Sequence, residues 1–108
     1  MIRVTVLKDQ NNYQEFSLVG HAGFDVYGKD IVCAAVSMLV INTINSISSF
    51  TEDDITVTSD EKAGVLTCKL PCDYSHDTEL LIEAMLLGLS EVSKEYGSEF
   101  ITLTIKEV

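Results

Sequence analysis

The stretch "DIVCAAVSMLVINTINSISSF", Asp30 to Phe50, decides the fold because its apolar residues recur at helical spacing. One stripe along it contains Val32, Val36, Leu39, Val40, Thr43, Ile47 and Phe50. A stripe of this length can cover a β-sheet. The sequence therefore predicts a long helix that begins near Asp30 and packs on strands.

Five shorter stretches around this helix predict the strands. The first is residues 2–7, and the second is marked by Phe16 and Leu18. The other three are residues 55–58, 65–70 and 100–105. The polar residues "DQNN" at 9–12 predict a turn between the first two strands. The third and fourth strands are predicted to form a hairpin through "DEKAG", where Gly64 easily takes the positive φ of a turn.

A second helix is predicted between this hairpin and the last strand. Ser75 suits its N-cap, Gly97 ends it, and its apolar stripe contains Leu81, Met85, Leu89, Val92 and Tyr96. The element order is then β-β-α-β-β-α-β. Two helices on one face of a mostly antiparallel five-stranded sheet bury all these apolar faces together, so we predict a single α+β domain over residues 1–108.

The chain is strongly acidic, with 17 acidic against 7 basic residues and a formal net charge of −10. Such a charge repels nucleic acids and anionic membrane surfaces, and it favours basic polypeptide partners. The longest apolar stretch, residues 31–41, is interrupted by Ser37 and too short to cross a bilayer, and the start of the chain is unlike an export signal. We therefore expect a cytoplasmic protein with no membrane contact, no direct nucleic acid binding and three reduced cysteines.

A histidine and a cysteine flank the predicted start of the long helix. His21 stands in the glycine-punctuated stretch "GHAGFDVYG", residues 20–28, and Cys33 falls in the first helical turn. Unpaired backbone N–H groups and the positive end of the helix dipole favour a thiolate there. If the stretch doubles back, the imidazole takes the thiol proton, and the same N–H groups hold an oxyanion during acyl transfer.

Each of these residues also has an ordinary structural role. Cys33 is then a buried apolar residue, and His21 satisfies hydrogen bonds near a turn. Asp30 is expected to cap the helix, and its other role is to orient the histidine. Ser37 lies on the same helical face as Cys33, so its hydroxyl bonds either the helix backbone or an active-site group. Spacing alone leaves both interpretations open.

Two sequence blocks, "GHAG" at 20–23 and "GKDIVCAAVS" at 28–37, resemble the ribosomal-processing cysteine proteases of the Prp family. The later "EAMLLGL" at 83–89 and "EYG" at 95–97 extend the resemblance over essentially the whole chain. The resemblance implies a thiol protease that needs no metal or organic cofactor.

The resemblance also assigns roles to individual residues. It implies a catalytic dyad of His21, the base, and Cys33, the nucleophile, with Asp30 and Ser37 as supporting residues. The segment between the two blocks, which contains Gly23 and Gly28, is implied to cover the bound substrate. Its aromatic residues, Phe24 and Tyr27, either line an apolar substrate groove or only pack locally.

The substrate implied by the resemblance is the precursor of a large-subunit ribosomal protein. Prp proteases remove its short apolar N-terminal extension, which contains adjacent phenylalanines, by cutting after a small residue. The family resemblance further implies a homodimer. An acidic enzyme suits a basic ribosomal protein, because opposite charges speed their encounter.

Two other functions compete with this interpretation. A metal site is suggested by Cys68, Cys72 and His76, which recur at four-residue intervals. However, the first of these lies in a predicted strand, Pro71 interrupts the spacing, and no C-x-x-C pair is present, so we expect a core Cys68 and a surface Cys72. The second alternative is a noncatalytic ribosome-associated binding module.

Overall fold

The computed structural model describes residues 2–20 and 29–108, without the side chains of Lys29 and Asp30. Its elements follow the predicted order. They are β1 (Ile2–Lys8), β2 (Tyr13–Val19), α1 (Lys29–Phe50), β3 (Thr56–Asp60), β4 (Val65–Lys69), α2 (His76–Tyr96) and β5 (Ile101–Glu107).

The five strands form one mixed sheet in the order β3-β4-β2-β1-β5. β2 pairs antiparallel with β1 and β4, and β3 pairs antiparallel with β4. β5 lies parallel to β1, because α2 carries the chain back to the end of the sheet where β1 begins. The predicted α+β fold with a mostly antiparallel sheet is confirmed.

The core lies between one face of the sheet and the two helices. On β1, Ile2, Val4 and Val6 have at most 1% exposed surface, whereas Arg3 between them is exposed. Phe16 of β2 is buried on the same side. The helices contribute further buried residues, among them Val32, Val36, Val40, Ile47, Ile82, Met85 and Leu89.

α1 has close to its predicted length but departs from the prediction in its last turn. The predicted stripe is buried as far as Ile47 apart from the half-buried Leu39, but Phe50 is 77% exposed because the packed part of the helix ends before it. The apolar stretch was expected to be too short for a membrane, yet the helix continues past it. By length and composition alone, Ile31–Phe50 is able to cross a bilayer, with a mean hydropathy of 1.8, but the core helix of a soluble domain meets the same criteria.

α2 begins and ends where its capping residues predict. The Oγ of Ser75 accepts a hydrogen bond from the backbone N–H of Thr78 at 3.4 Å. Gly97, whose φ is 88°, donates its N–H to the carbonyl of Ser93 at 2.9 Å. Tyr96 was predicted on the buried stripe but is 41% exposed, because the packed part of α2 ends at Val92.

Asp53 ties the end of α1 to the start of α2. Its Oδ2 accepts hydrogen bonds from the backbone N–H of Ser75 at 2.9 Å, from the Ser75 hydroxyl at 2.7 Å and from the Thr78 hydroxyl. These donors, the Thr78 hydroxyl first, hold the pKa of the Asp53 carboxyl below its ordinary value. Nearby, the backbone N–H of Tyr13 donates to the Tyr74 hydroxyl at 2.9 Å, which brings the start of β2 to this same pole.

Candidate active site

The pole of the domain where β2 ends carries the candidate active site. The end of α1, the start of α2 and the start of β2 meet at the opposite pole through Asp53 and Tyr74. α1 must therefore begin near the end of β2. At this end, Gly20, with a φ of 94°, donates its N–H to the carbonyl of Gly64 at 2.8 Å, which brings the β3–β4 turn beside the site.

Cys33 is the fifth residue of α1, because the helix begins at Lys29 and not at Asp30. The backbone N–H groups of residues 29–31 lack an acceptor within the helix, so three donors of the described chain lie within one turn of the thiol. The positive end of the dipole lies at the same place. The side chain of Cys33 has no exposed surface, so a peptide carbonyl reaches Sγ only after a rearrangement.

Ser37 contacts Cys33 on the same flank of α1. The two atoms Sγ and Oγ lie 3.8 Å apart, and either can be the donor. The hydroxyl of Ser37 was expected to bond either the helix backbone or an active-site group, and this contact favours the active-site group. At 100° per residue, Cys33 and Ser37 project about 120° and 160° away from Leu39, whose side chain faces α2 at Gly88. The cysteine and the serine therefore face away from α2.

Asp30 is the second residue of α1. Its side chain lies outside the described part of the chain, so its expected capping role stays a prediction. An orienting role for Asp30 stays a prediction. The residues His21, Gly23, Phe24, Tyr27 and Gly28 lie outside the described part of the chain, and their assigned roles likewise stay predictions.

The other two cysteines differ from Cys33 in their surroundings. Cys68 lies fully buried on β4, and burial, followed by the nearby Glu15 charge, raises the pKa of its thiol to about 12. Cys72 is exposed in the turn before α2. The predicted core and surface positions of these two residues are confirmed. A thiol with such a raised pKa is a poor nucleophile at neutral pH, which leaves Cys68 without a catalytic role.

The metal alternative finds no support in the described residues. Cys68 faces the core, and Cys72 and His76 are exposed in the turn and at the first position of α2. Within residues 2–20 and 29–108, no three His, Cys, Asp or Glu side chains are grouped so that they could hold a metal ion.

One neighbour of the site was missed by sequence reasoning. The residues between β3 and β4 were predicted only to form a turn. In the structure the carbonyl of Gly64 in this turn accepts a hydrogen bond from Gly20, the residue before His21. Alternation and turn residues predict a hairpin but carry no information about its distant contacts. The pairing of β2 with β4, from Val19↔Val65 to Glu15↔Lys69, places the turn there.

Comparison with known proteins gives one consistent family. The profile of the family described as "Cysteine protease Prp" matches residues 1–101. The ribosomal processing cysteine protease Prp of Staphylococcus aureus is 28% identical over 107 residues, which cover 98% of this chain and all of the relative. The Prp protein of Bacillus subtilis is 26% identical over 101 residues, or 89% of this chain and 90% of the relative.

Solved structures agree with the sequence comparison. The S. aureus protease Prp in complex with a substrate peptide superimposes with a TM-score of 0.89 at 27% identity, covering 98% of this chain and 100% of that one. A protein from Streptococcus mutans, SMU.848, gives a TM-score of 0.90 at 32% identity, covering 100% and 96%. The matching family profile, the named relatives and the shared fold agree, and the chain belongs to the cysteine protease Prp family.

Proposed function

We propose that this cysteine protease removes the short N-terminal extension from the precursor of a large-subunit ribosomal protein. The observation that carries the proposal is the position of Cys33 at the start of α1, beside Ser37 and within one turn of the unpaired backbone N–H groups of residues 29–31. The relatives are named ribosomal processing proteases, and the S. aureus relative binds a substrate peptide. These findings leave the noncatalytic binding module without support.

The proposed chemistry uses Cys33 and His21 in two stages. His21 takes the proton from Sγ, and the thiolate attacks the scissile carbonyl carbon to form a tetrahedral oxyanion. The oxyanion collapses, the C–N bond breaks, and His21 returns the proton to the leaving amine. Water then attacks the thioester with His21 as base, which releases the new carboxylate and regenerates the thiol.

The start of α1 has two uses in this reaction. Its backbone N–H groups stabilise the negative sulfur before attack and the oxyanion after it. Ser37 holds the sulfur from the side at 3.8 Å, and we propose that its hydroxyl donates to the thiolate form. Asp30 is proposed to support the histidine from the first turn.

The burial of Cys33 adds a step before attack. A sulfur with no exposed surface reacts with a peptide only after part of the surrounding chain moves. We propose that the stretch with Gly23, Phe24, Tyr27 and Gly28 opens for the substrate and then covers it. Exclusion of water by this cover strengthens the charge interactions at the sulfur.

The proposed setting of the enzyme follows from its charge. A net charge of −10 favours a basic ribosomal protein over nucleic acid or an anionic membrane surface. We propose a cytoplasmic homodimer that binds its precursor substrate without contacting nucleic acid directly. No cofactor is needed for the proposed thiol chemistry.

The test is cleavage of the full precursor, with product masses read by mass spectrometry. We expect Cys33→Ala to lower kcat by about 10³-fold or more and His21→Ala to act almost as strongly. Cys33→Ser is expected to bind the precursor without turnover. Cys72→Ala, which removes an exposed cysteine, is the matched control and should keep full activity. Retained turnover in folded Cys33→Ala would disprove the assignment of the nucleophile.

A further inference from the structure

β3 forms one edge of the sheet, and β5 forms the other. β3 pairs with β4 on one side, and within residues 2–20 and 29–108 no strand lies on its other side. All five of its residues, Thr56–Asp60, are exposed. An exposed edge carries unpaired backbone N–H and C=O groups, which can pair with another extended chain. β3 is therefore a candidate binding surface for an extended peptide.

The hydrogen bonds of β4 show which backbone groups of β3 point outward. The residues that flank β4, Gly64 and Leu70, both bond toward β2. Because bonding directions alternate along a strand, the even-numbered residues of β4 face β2 and the odd-numbered ones face β3. In the register, the odd-numbered residues of β4 stand opposite the even-numbered residues of β3. The N–H and C=O groups of Val57 and Ser59 therefore project from the free edge.

The sequence of β3 does not block an added strand. Natural edge strands are commonly protected by a lysine, a proline or a bulge. The stretch "TVTSD", residues 56–60, contains no lysine or proline, and its register with β4 continues without a bulge. The β-branched threonines and valine of this stretch also favour pleated backbone. The edge therefore suits pairing with a further strand.

Acidic residues flank β3 at both ends. Residues 51–61 contain five acidic residues and no Lys or Arg. Glu52 precedes the strand, Asp60 ends it and Glu61 follows it, and all three are exposed. Pairing of β3 with the β3 of a second copy would bring like charges together, which destabilises a strand pair. The charge therefore favours a basic peptide over a second copy of this chain.

The turn after β3 places this edge at the pole of the active site. The carbonyl of Gly64 in this turn accepts a hydrogen bond from Gly20, the residue before His21. A strand added outside β3 would lie three strand spacings, or about 14 Å, from β2. About four extended residues span this distance. The free edge is therefore within reach of a precursor segment that begins about four residues from the cleaved bond.

We infer that β3 binds a basic segment of the precursor as an added antiparallel strand. The inference rests on the proposed function and extends it to residues beyond the cleaved bond. The segment belongs to the mature ribosomal protein, because the extension is apolar and the flanks of β3 are acidic. It leaves the active site and runs toward the start of β3, opposite to the direction of β3. Main-chain hydrogen bonds then supply affinity, and the acidic residues supply selectivity.

Cleavage by Ser59→Pro tests the main-chain contact. The substitution removes a backbone N–H that points outward, so the hydrogen bonds between β3 and β4 stay. We expect kcat/KM for the full precursor to fall by about tenfold. Cleavage of a peptide that ends about three residues after the cut should not change, since this peptide is too short to reach β3. Glu61→Lys, which leaves the main chain intact, should also lower kcat/KM for the precursor and spare the short peptide.

The matched controls lie on the opposite edge of the sheet. The backbone N–H of Val108 donates to the carbonyl of Lys8, so even-numbered residues of β5 face β1 and the N–H of Ile105 points outward. Ile105→Pro therefore makes the same backbone change on the other edge. Glu107→Lys makes the same charge change as Glu61→Lys. Both controls should keep kcat/KM for the precursor within about twofold of the unmodified value.

Amide hydrogen exchange observes the contact directly. In the complex of Cys33→Ser with uncleaved precursor, the amide protons of Val57 and Ser59 should exchange at least about tenfold more slowly than in the free chain. Circular dichroism confirms that each variant is folded. If Ser59→Pro does not fold, Glu61→Lys and the exchange rates decide.

The outcomes separate the inference from the proposed function. Unchanged precursor cleavage by folded Ser59→Pro, or unchanged exchange in the complex, would overturn the inference and leave the protease function intact. An equal loss for precursor and short peptide would also overturn it, because the effect would then lie in the active site. A mass in gel filtration that Ser59→Pro lowers would assign the edge to a second copy instead. Failure of the unmodified chain to cleave the precursor would overturn the proposed function and the inference with it.

Discussion

At the scale of single residues, the three cysteines are expected to react differently with iodoacetamide. Cys33 lies at the start of α1, Cys72 is exposed, and burial raises the pKa of Cys68 to about 12. A thiolate held by His21 and the helix start persists in mild acid, whereas an ordinary thiol loses about tenfold of its thiolate for each pH unit below its pKa. The proposed opening of the stretch that covers Cys33 must also admit this small reagent, because Cys33 has no exposed surface. With that opening, we expect Cys33 to label fastest, and its rate to change little between pH 8 and pH 6.

The measurement is peptide mapping of each labelled cysteine over that pH range. Labelling of Cys72 should slow steeply with acid, and Cys68 should remain unlabelled in the folded protein. His21→Ala is expected to give Cys33 the pH dependence of an ordinary thiol. If Cys33 instead labels no faster than Cys68 at every pH, the proposed thiolate does not form.

At the scale of elements, Asp53 is expected to make folding sensitive to acid. Its pKa is held below the ordinary value of 3.8 by Thr78 and Ser75, so its stabilisation is present above about pH 4. The stabilisation is lost as the pH falls from 3.8 through the lower folded value. Asp53→Asn should cost about 1–2 kcal/mol at neutral pH and flatten the loss of Tm on acidification.

Thermal unfolding between pH 2 and pH 7 checks this expectation. Asp54→Asn makes the same chemical change one residue later, at an exposed position, and is expected to leave the curve unchanged. Equal curves for the two variants would show that the hydrogen bonds of Asp53 do not stabilise the junction between α1 and α2.

The elements also show how far sequence reasoning reaches. The cap of α2 was predictable because serine is a preferred capping residue and Ser75 stands just before the apolar stripe of the helix. Alternation in β1 identified Ile2, Val4 and Val6 as core. Local patterns do not show where packing stops, so the exposure of Phe50 was missed. The contact between Gly20 and Gly64 depends on the pairing of β2 with β4, which no local pattern contains.

At the scale of the whole molecule, the net charge of −10 is expected to act on the encounter with substrate. A basic precursor is attracted over distances that salt screens, and such steering raises association rates by about 10-fold or more. We therefore expect kcat/KM for the full precursor to fall by about tenfold between low and high salt.

A short uncharged peptide that spans the cleavage site is the control for this effect. Its local contacts with the active site are the same, but it lacks the basic body of the ribosomal protein, so its kcat/KM should change little with salt. Steady-state cleavage of both substrates over a range of ionic strength separates the two contributions. If kcat/KM depended equally on salt for both substrates, charge would act on the contacts within the active site and not on the encounter. The acidic surface would then have no part in capturing the precursor, and recognition would depend on the apolar extension alone.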